Sequence, residues 1–157
     1  MNHTERLLLR LELEELNAEF AYLIDHDLSE HVADLFVGDG SYGRSTGEMS
    51  VGRDAIRQAY SARKARGART SRHIFTNLRL GSVSDDLVEA TSILTLFAHD
   101  GVPPHAAEPL LVSEYTDTYR RCDDGRWRYQ SRIATWLFRH AGGAESSLRL
   151  GLTGSAK

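Results

Sequence analysis

The chain has 157 residues, of which 41% are hydrophobic and 26% are charged, and its formal net charge at pH 7 is −3. This length fits one domain with one core, and the composition excludes general disorder and a membrane span. The negative net charge argues against non-specific binding to nucleic acid. The first residues interleave charges with leucines, so we expect no secretory signal and a cytoplasmic location.

The first predicted element is a long amphipathic helix from Thr4 to about His26, with Thr4 as its N-cap. Its apolar positions recur near helical spacing and comprise Leu8, Leu9, Leu11, Leu13, Leu16, Phe20, Leu23 and Ile24. A second, shorter helix is predicted from about Ser29 to Phe36, where the glycines that follow end it. Both helices should bury one apolar face.

Residues 40–50 carry three glycines around Tyr42 and Met49, which predicts a short β-hairpin. A third helix is predicted from about Gly52 to Gly67. Basic residues crowd its last turns and the segment behind them: Arg63, Lys64, Arg66, Arg69 and Arg72. Cations interact favourably with the negative end of a helix dipole, so a solvated helix end is favoured here over a polyanion site.

The second half of the chain is rich in β-branched, aromatic and alternating residues. Four long antiparallel strands are predicted, at residues 71–81, 86–99, 108–121 and 126–139. Helices followed by a meander of strands indicate an α+β fold, in which a curved sheet folds over the N-terminal helices. Residues 1–141 form one predicted domain, and residues 142–157, rich in small side chains, form a loosely held tail.

Asp25 near the end of the first helix and His73 in the first long strand are the candidate acid–base pair. A carboxylate that hydrogen-bonds one imidazole nitrogen fixes the tautomer and leaves the other nitrogen free to take a proton. The separation of the two residues in sequence is no evidence by itself. A structural histidine and a solvent-facing or capping carboxylate are the alternative interpretations.

Period-two alternation predicts two faces for the strand that holds His73. One face carries His73, Phe75, Asn77 and Arg79, and the other carries Ile74, Thr76, Leu78 and Leu80. The phenol of Tyr42 could hydrogen-bond a carbonyl or a leaving hydroxyl, and Arg132 could hold an anion, with a packed aromatic and a surface charge as the alternatives. Further candidates to line a substrate pocket are Phe20, Tyr22, Phe75, Asn77, His99, Tyr115 and Trp136.

Metal and cofactor chemistry finds no support in the sequence motifs. The seven histidines are scattered, and neither an HExxH motif nor a Cys/His cluster occurs. The single cysteine, Cys122, allows no intrachain disulfide. Glycine-rich motifs that cradle phosphates are also lacking, so we expect neither a metal nor an organic cofactor.

Four stretches carry a family resemblance: FAYLIDHDLSEHVADLF, VGRDAIRQAY, SRHIFTNLRL and EYTDTYRRCDDGRWRYQSR. Together they resemble the SnoaL-like branch of the nuclear-transport-factor-2-like (NTF2-like) superfamily, over about residues 5–140. The resemblance implies a cystatin-like cone, in which three N-terminal helices pack in a strongly bent, mostly antiparallel sheet that encloses one pocket.

Within this superfamily the chain looks most like the proton-abstracting lyases, namely scytalone dehydratase, bile acid 7α-dehydratase and hexachlorocyclohexane dehydrochlorinase. The resemblance implies that His73 is the base and that Asp25 orients it, while Phe20 stands where those relatives carry a tyrosine or lysine that assists the leaving group. It implies a cofactor-independent dehydratase, dehydrohalogenase or isomerase that acts on a small hydrophobic cyclic substrate. The alternative is a non-catalytic ligand-binding member, or a small structural subunit like those of ring-hydroxylating dioxygenases.

Sheets of this fold commonly pair through their outer faces. We therefore expect a homodimer or homotrimer. The apolar residues predicted to supply the contact surface are Val88, Leu94, Leu96 and Ile133.

Overall fold

The first helix, α1 (His3–Asp25), supplies the apolar stripe on which the fold is built. The computed structural model describes residues 1–47 and 49–140, so the predicted tail at 142–157 lies outside the described residues. The N-cap of α1 is Asn2 and not Thr4, because Asn2 and Glu5 form a reciprocal capping box. The buried stripe comprises Leu9, Leu13, Asn17, Phe20 and Leu23. Leu8 and Leu11, predicted to be apolar core positions, are exposed.

The second helix is a single 3₁₀ segment, Ser29–Leu35, and strand β1 (Phe36–Arg44) follows it directly. The predicted hairpin is confirmed, since β1 pairs antiparallel with β2 (Met49–Val51). Helix α2 (Arg53–Lys64) starts after Gly52, as predicted, and Gly52 adopts a positive φ of 86° that favours glycine. The helices therefore lie where the periodicity placed them.

The four long strands are confirmed to within three residues at each end. They are β3 (Arg69–Val83), β4 (Leu87–Asp100), β5 (Leu111–Arg121) and β6 (Trp127–Arg139). The sheet has six strands in the order β2-β1-β6-β5-β4-β3, and β1 runs parallel to β6 while every other pair is antiparallel. The expected fold class is thus observed: helices packed against a curved, mostly antiparallel sheet.

A bulge in β3 reverses the predicted alternation of that strand. Asn77 has a positive φ of 56°, a conformation that asparagine adopts more readily than most residues, and the register against β4 shifts between Thr76 and Arg79. Before the bulge His73 and Phe75 face inward, whereas beyond it Leu78 and Leu80 are buried and Arg79 is exposed. The prediction that Arg79 shares the face of His73 was therefore wrong.

The concave face of the sheet holds the core, which the helices cover. Val88, Leu94 and Leu96 are buried on this inner face, so they cannot form the outer contact surface predicted for them. The side chains of β4 that alternate with them point outward and include Ile93 and Phe97, while Ile133 is partly exposed on β6. No helix in the described part of the chain combines the length and the apolar character needed to cross a membrane.

Candidate active site

The structure brings Asp25 and His73 into direct contact. Nδ1 of His73 lies 2.6 Å from Oδ1 of Asp25, and the backbone N–H of His73 donates to Oδ2 at 2.7 Å. The hydroxyl of Ser71, two residues earlier on the same face of β3, donates to Oδ1 at 2.7 Å. The side chains of Asp25 and His73 are only 5% and 12% exposed. The last turn of α1 and the start of β3 thus hold the carboxylate from three directions.

These contacts keep Asp25 ionised. Burial raises its pKa, but the hydrogen bond and positive charge available from His73, the backbone N–H of His73 and the Ser71 hydroxyl outweigh burial, so the net pKa lies below the ordinary value. An ionised Asp25 accepts a hydrogen from Nδ1, which assigns the proton of the neutral imidazole to that nitrogen. Nε2 is then the nitrogen that can exchange a proton with a ligand.

His73 lines a partly open cavity of about 130 Å³ between α2 and the sheet. Much of its wall is apolar and comprises Ile24, Leu94, Leu96, Ala98, Leu111, Ala134 and Trp136. The predicted lining residues Trp136 and Tyr115 are both at this wall, as is Tyr42. A concave apolar site with a few convergent polar groups is the usual form of a small-molecule binding site.

Three tyrosines, which we call the tyrosine cluster (Tyr42, Tyr60 and Tyr115), supply phenols to the cavity wall. The rings of Tyr42 and Tyr60 stack with their centroids 5.7 Å apart. Burial raises the pKa of all three phenols, so they remain neutral hydrogen-bond donors at physiological pH. The buried hydroxyl of Tyr60 has no hydrogen-bond partner of normal geometry, although a hydrogen-bonding interaction with the nearby Tyr42 phenol partly opposes the rise of its pKa.

Tyr60 lies within the third helix that the sequence predicts, but the sequence did not identify it as a site residue. Helical periodicity marks a position as buried without showing which cavity it reaches. An aromatic residue with a polar group on a face otherwise made of small residues was the available signal, because a buried phenol usually needs a partner.

Phe20, Phe75 and Arg132 lie behind the cavity wall. The Phe20 ring contacts four other aromatic rings at centroid distances of 5.8–6.4 Å, including those of Tyr42 and Tyr60. Arg132 is fully buried, with its guanidinium carbon 4.3–4.5 Å from the ring centroids of Phe20, Phe75, Tyr115 and Tyr129. It does not line the cavity, so its charge reaches a ligand only through these rings.

The guanidinium of Arg132 is held by a buried polar network. It donates to Asn17 Oδ1 at 2.9 Å and to the hydroxyl of Tyr129, which in turn donates to Asn17 at 2.6 Å. Its Nε lies 3.4 Å from Oδ1 of Asp117, a fully buried carboxylate that accepts a hydrogen bond from Tyr119. Burial raises the pKa of Asp117 to about 6, against the opposing influence of Arg132. Arg132 is therefore neither a surface charge nor a group in direct reach of the cavity.

Three candidate lining residues lie away from the cavity. Tyr22 is 51% exposed and stacks on His26, because its position on α1 faces outward. Asn77 is exposed at the β3 bulge, and both residues border a second groove, between α1 and β3, whose lining also includes His73 and Phe75. His99 is exposed near the end of β4 and stacks on His105.

The described residues contain no group of three or more His, Cys, Asp or Glu side chains arranged to hold a metal ion. The rings of His99 and His105 stack on each other, but neither residue lines the cavity.

Several solved structures share this fold. An NTF2-like protein with a cystatin-like fold from Novosphingobium aromaticivorans is 27% identical, with a TM-score of 0.67 over 94% of this chain and 92% of that chain. A candidate scytalone dehydratase from the same organism is 21% identical, with a TM-score of 0.73 over 89% and 97% of the two chains. The beta subunit of a candidate aromatic-ring-hydroxylating dioxygenase, also from that organism, is 18% identical, with a TM-score of 0.73 over 87% and 94%.

No curated protein matches the chain significantly. The sequence profile described as the SnoaL-like domain matches residues 5–133, which is most of the chain. The match agrees with the fold and with the solved structures, and the resemblance drawn from the four sequence stretches is confirmed. The chain therefore belongs to the SnoaL-like family of the NTF2-like superfamily.

Proposed function

We propose that the protein is a cofactor-independent lyase or isomerase that removes a proton from a small hydrophobic cyclic substrate, with elimination as the leading reaction. The observation that carries the proposal is the contact of His73 with Asp25 at the wall of an apolar cavity. Nδ1 is engaged by an ionised carboxylate, which leaves Nε2 as a base. Asp25 orients the ring and stabilises the imidazolium that forms.

In the elimination, Nε2 of His73 takes a proton from a carbon next to an activating group. The electrons of the broken C–H bond form a double bond to the adjacent carbon, from which the leaving group departs with its own bonding pair. A departing hydroxide takes up the proton that His73 has accepted and leaves as water, whereas a halide leaves as the anion and His73 releases its proton to solvent. In an isomerisation the proton returns to a different carbon, and nothing leaves.

The tyrosine cluster is the source of hydrogen bonds to the developing negative charge. Phe20 is fully buried among aromatic rings and has no proton to give, so it cannot replace the tyrosine or lysine of the related lyases. The neutral phenols at the cavity wall can donate instead, and the fixed charge of Arg132 behind Tyr115 favours negative charge at that wall.

Replacing His73 with Ala tests the proposal. We expect kcat to fall by about 10²–10⁴-fold, the usual contribution of general-base catalysis, with the circular dichroism spectrum unchanged. His26→Ala is the matched control, since His26 is exposed and stacks on Tyr22 outside the cavity. Turnover would be measured on a panel of steroid, terpenoid, polyketide and chlorinated cyclic compounds. A His73→Ala variant that retains the wild-type rate would exclude the mechanism.

A second candidate is a non-catalytic subunit or ligand-binding protein. The beta subunit of a candidate aromatic-ring-hydroxylating dioxygenase shares this fold, and Phe20 lacks the acid function of the lyases, which together support this role. Co-purification with a larger partner subunit, combined with no turnover of any compound in the panel, would favour this role over the lyase.

We also propose that the chain forms a homodimer or homotrimer. The outer side of the sheet presents partly exposed apolar residues on β4 and β6, such as Ile93, Phe97 and Ile133, in place of the buried residues first predicted. Sedimentation velocity at micromolar concentration should show a species of two or three chains. A monomer alone at that concentration would contradict the proposal.

A further inference from the structure

Two arginines on one side of the cavity share a single carboxylate. Arg63 stands at the end of α2 and Arg69 at the start of β3, and both line the cavity. Their side chains are only 18% and 13% exposed, and each has a guanidinium nitrogen near Oδ1 of Asp100, at 3.6 Å and 3.2 Å respectively. Asp100 is itself 65% exposed. Among residues 1–47 and 49–140, the two largely buried cations thus have one solvated anion, Asp100, between them.

The positive charge at this place is incompletely compensated. Burial lowers the pKa of both arginines, and the neighbouring Arg66 lowers both further, while Asp100 opposes these effects without cancelling them. Guanidinium groups stay protonated in proteins, so a second anion is the available way to relieve the repulsion. The sequence favoured a solvated helix end for this basic segment, but the structure buries two of its members.

The neighbouring lysine differs from the two arginines. Lys64 is exposed, and its ammonium donates to the backbone carbonyl of Asp27 at 2.7 Å and to Glu30 Oε2 at 3.1 Å. A surface ion pair of this kind contributes little and already has its anion. The unmatched positive charge at the cavity therefore belongs to Arg63 and Arg69.

We propose that the ligand of this cavity is an apolar cyclic compound that carries a carboxylate, and that Arg63 and Arg69 bind this carboxylate. The inference rests on the proposed function for its reacting end, because it names the substrate class of the same site. Guanidinium groups match carboxylates geometrically and can donate two parallel hydrogen bonds to them. The ring system would lie against the apolar wall formed by Leu94, Leu96 and Trp136.

Arg63 and Arg69 would hold the carboxylate of the ligand far from the carbon that reacts at His73. Arg69, Ser71 and His73 alternate along the same face of β3, and four residues of a strand span about 13 Å. The carboxylate would therefore anchor the far end of the substrate and would not be the group that acidifies the C–H bond. Binding energy from such a remote anchor can position the reacting carbon at His73.

The test compares two probes of matched size, 2-naphthoate and 2-naphthalenemethanol, by isothermal titration calorimetry at low ionic strength. We expect the wild-type protein to bind the carboxylate at least about tenfold more tightly than the alcohol, and added salt should reduce the difference. Arg63→Gln and Arg69→Gln should each reduce this preference severalfold. Arg57→Gln is the matched control, since Arg57 lies on the same helix but is exposed and pairs with Asp34 and Asp54 outside the cavity.

Arg69→Lys keeps the charge and should keep most of the preference, which guards against a glutamine variant that fails to fold. His73→Ala should also keep it, because the base lies at the other end of the ligand. A wild-type protein that prefers the carboxylate but turns over no compound of the panel would thus contradict the lyase and leave the anionic site supported. Equal affinity of the wild-type protein for the two probes, no binding of either, or a preference that persists in both glutamine variants would overturn the inference.

Discussion

Two pairs, each of one acidic and one basic residue, lie inside the described part of the chain in different surroundings: Asp25 with His73, and Asp117 with Arg132. Asp25 and His73 meet at the cavity wall, where the base can gain or lose a proton and where a ligand can reach it. Asp117 and Arg132 meet behind that wall, with neither side chain exposed and with aromatic rings around the guanidinium. His73, Asp117 and Arg132 stand on the inner face of the same sheet, whereas Asp25 reaches His73 from the end of α1.

This difference means that His73 could exchange a proton with a ligand, whereas Arg132 could affect a ligand only through its electric field. Arginine remains protonated, so Arg132 cannot act as a base, and the rings of Phe75 and Tyr115 keep ligands from its nitrogens. Its fixed charge can nevertheless act on the phenols nearby, because electrostatic interactions are stronger in a buried, low-dielectric environment. We infer that Asp25 and His73 perform the proton transfer. Asp117 and Arg132 would set the electrostatic environment of the phenols in the adjacent cavity wall.

Breaking the buried pair should have the largest effect on folding. Arg132→Met removes the guanidinium at similar volume and leaves Asp117, Asn17 and Tyr129 without its charge and hydrogen bonds. We expect the free energy of unfolding to fall by about 3–5 kcal/mol, the range for uncompensated buried ion pairs. Urea denaturation would measure it. His73→Ala should cost only about 1–2 kcal/mol, since Asp25 keeps its Ser71 and backbone donors. Equal losses for the two variants would contradict the distinction.

The helices and long strands could be predicted because their signals are local. The apolar spacing of α1 and the alternation in β3 to β6 each lie within one segment, and the ends agree within a few residues. The parallel pairing of β1 with β6 joins residues at least 90 positions apart in sequence, such as Tyr42 and Arg132, and no local pattern encodes it. The alternation of residues in β3 likewise gives no sign of the bulge at Asn77, although asparagine tolerates the positive φ found there.

The candidate site shows the same limit. The proximity of Asp25 and His73 agrees with the family resemblance, whereas spacing alone could not have shown it. Arg132 was ambiguous because an arginine on a strand is usually a surface charge. Its burial depends on aromatic side chains from α1, β3, β5 and β6 that converge only in the folded chain. Tyr22 and His99 were polar aromatics of the right type on faces that the tertiary structure turns outward.

The two carboxylates should give opposite dependences of stability on pH. Burial raises the pKa of Asp117 from 3.8 to about 6 in the folded state, so that state binds a proton more tightly than the unfolded chain. Its stabilising contribution is complete below about pH 4 and is lost as the pH rises through 6. Relative to Asp117→Asn, the wild-type protein should lose about 2 kcal/mol of unfolding free energy between pH 4 and pH 7.

Asp25 should behave in the reverse sense. Its contacts lower its pKa in the folded state, so its contribution is present above the ordinary pKa of 3.8 and is lost as the pH falls through the lowered value. The stability advantage of the wild-type protein over Asp25→Asn should thus shrink below about pH 4. Urea denaturation series from pH 3 to pH 8 on both variants would measure the two slopes. Parallel slopes would show that the two carboxylates do not occupy different environments.

The smallest expected effect comes from one substitution made in each region. Tyr129→Phe removes a hydroxyl that donates to Asn17 and accepts from Arg132, and we expect a loss of about 1–3 kcal/mol of unfolding free energy. Tyr60→Phe removes a buried hydroxyl that lacks a partner of normal geometry, so stability should stay within about 1 kcal/mol of the wild type or rise.

The substitutions Tyr129→Phe and Tyr60→Phe together distinguish a hydroxyl that stabilises the fold from one that binds a ligand. Tyr60 lines the cavity and Tyr129 does not, so Tyr60→Phe should weaken ligand binding or lower kcat without loss of stability. Thermal unfolding and calorimetric binding on both variants would give the two readouts. If Tyr60→Phe proved as destabilising as Tyr129→Phe, the phenol would be part of the core network, and the tyrosine cluster would lose its assigned role as a donor to the substrate. A buried polar group whose hydrogen bond is poorly formed contributes less to stability, and a ligand that bonds to it supplies the reason for its place at the wall.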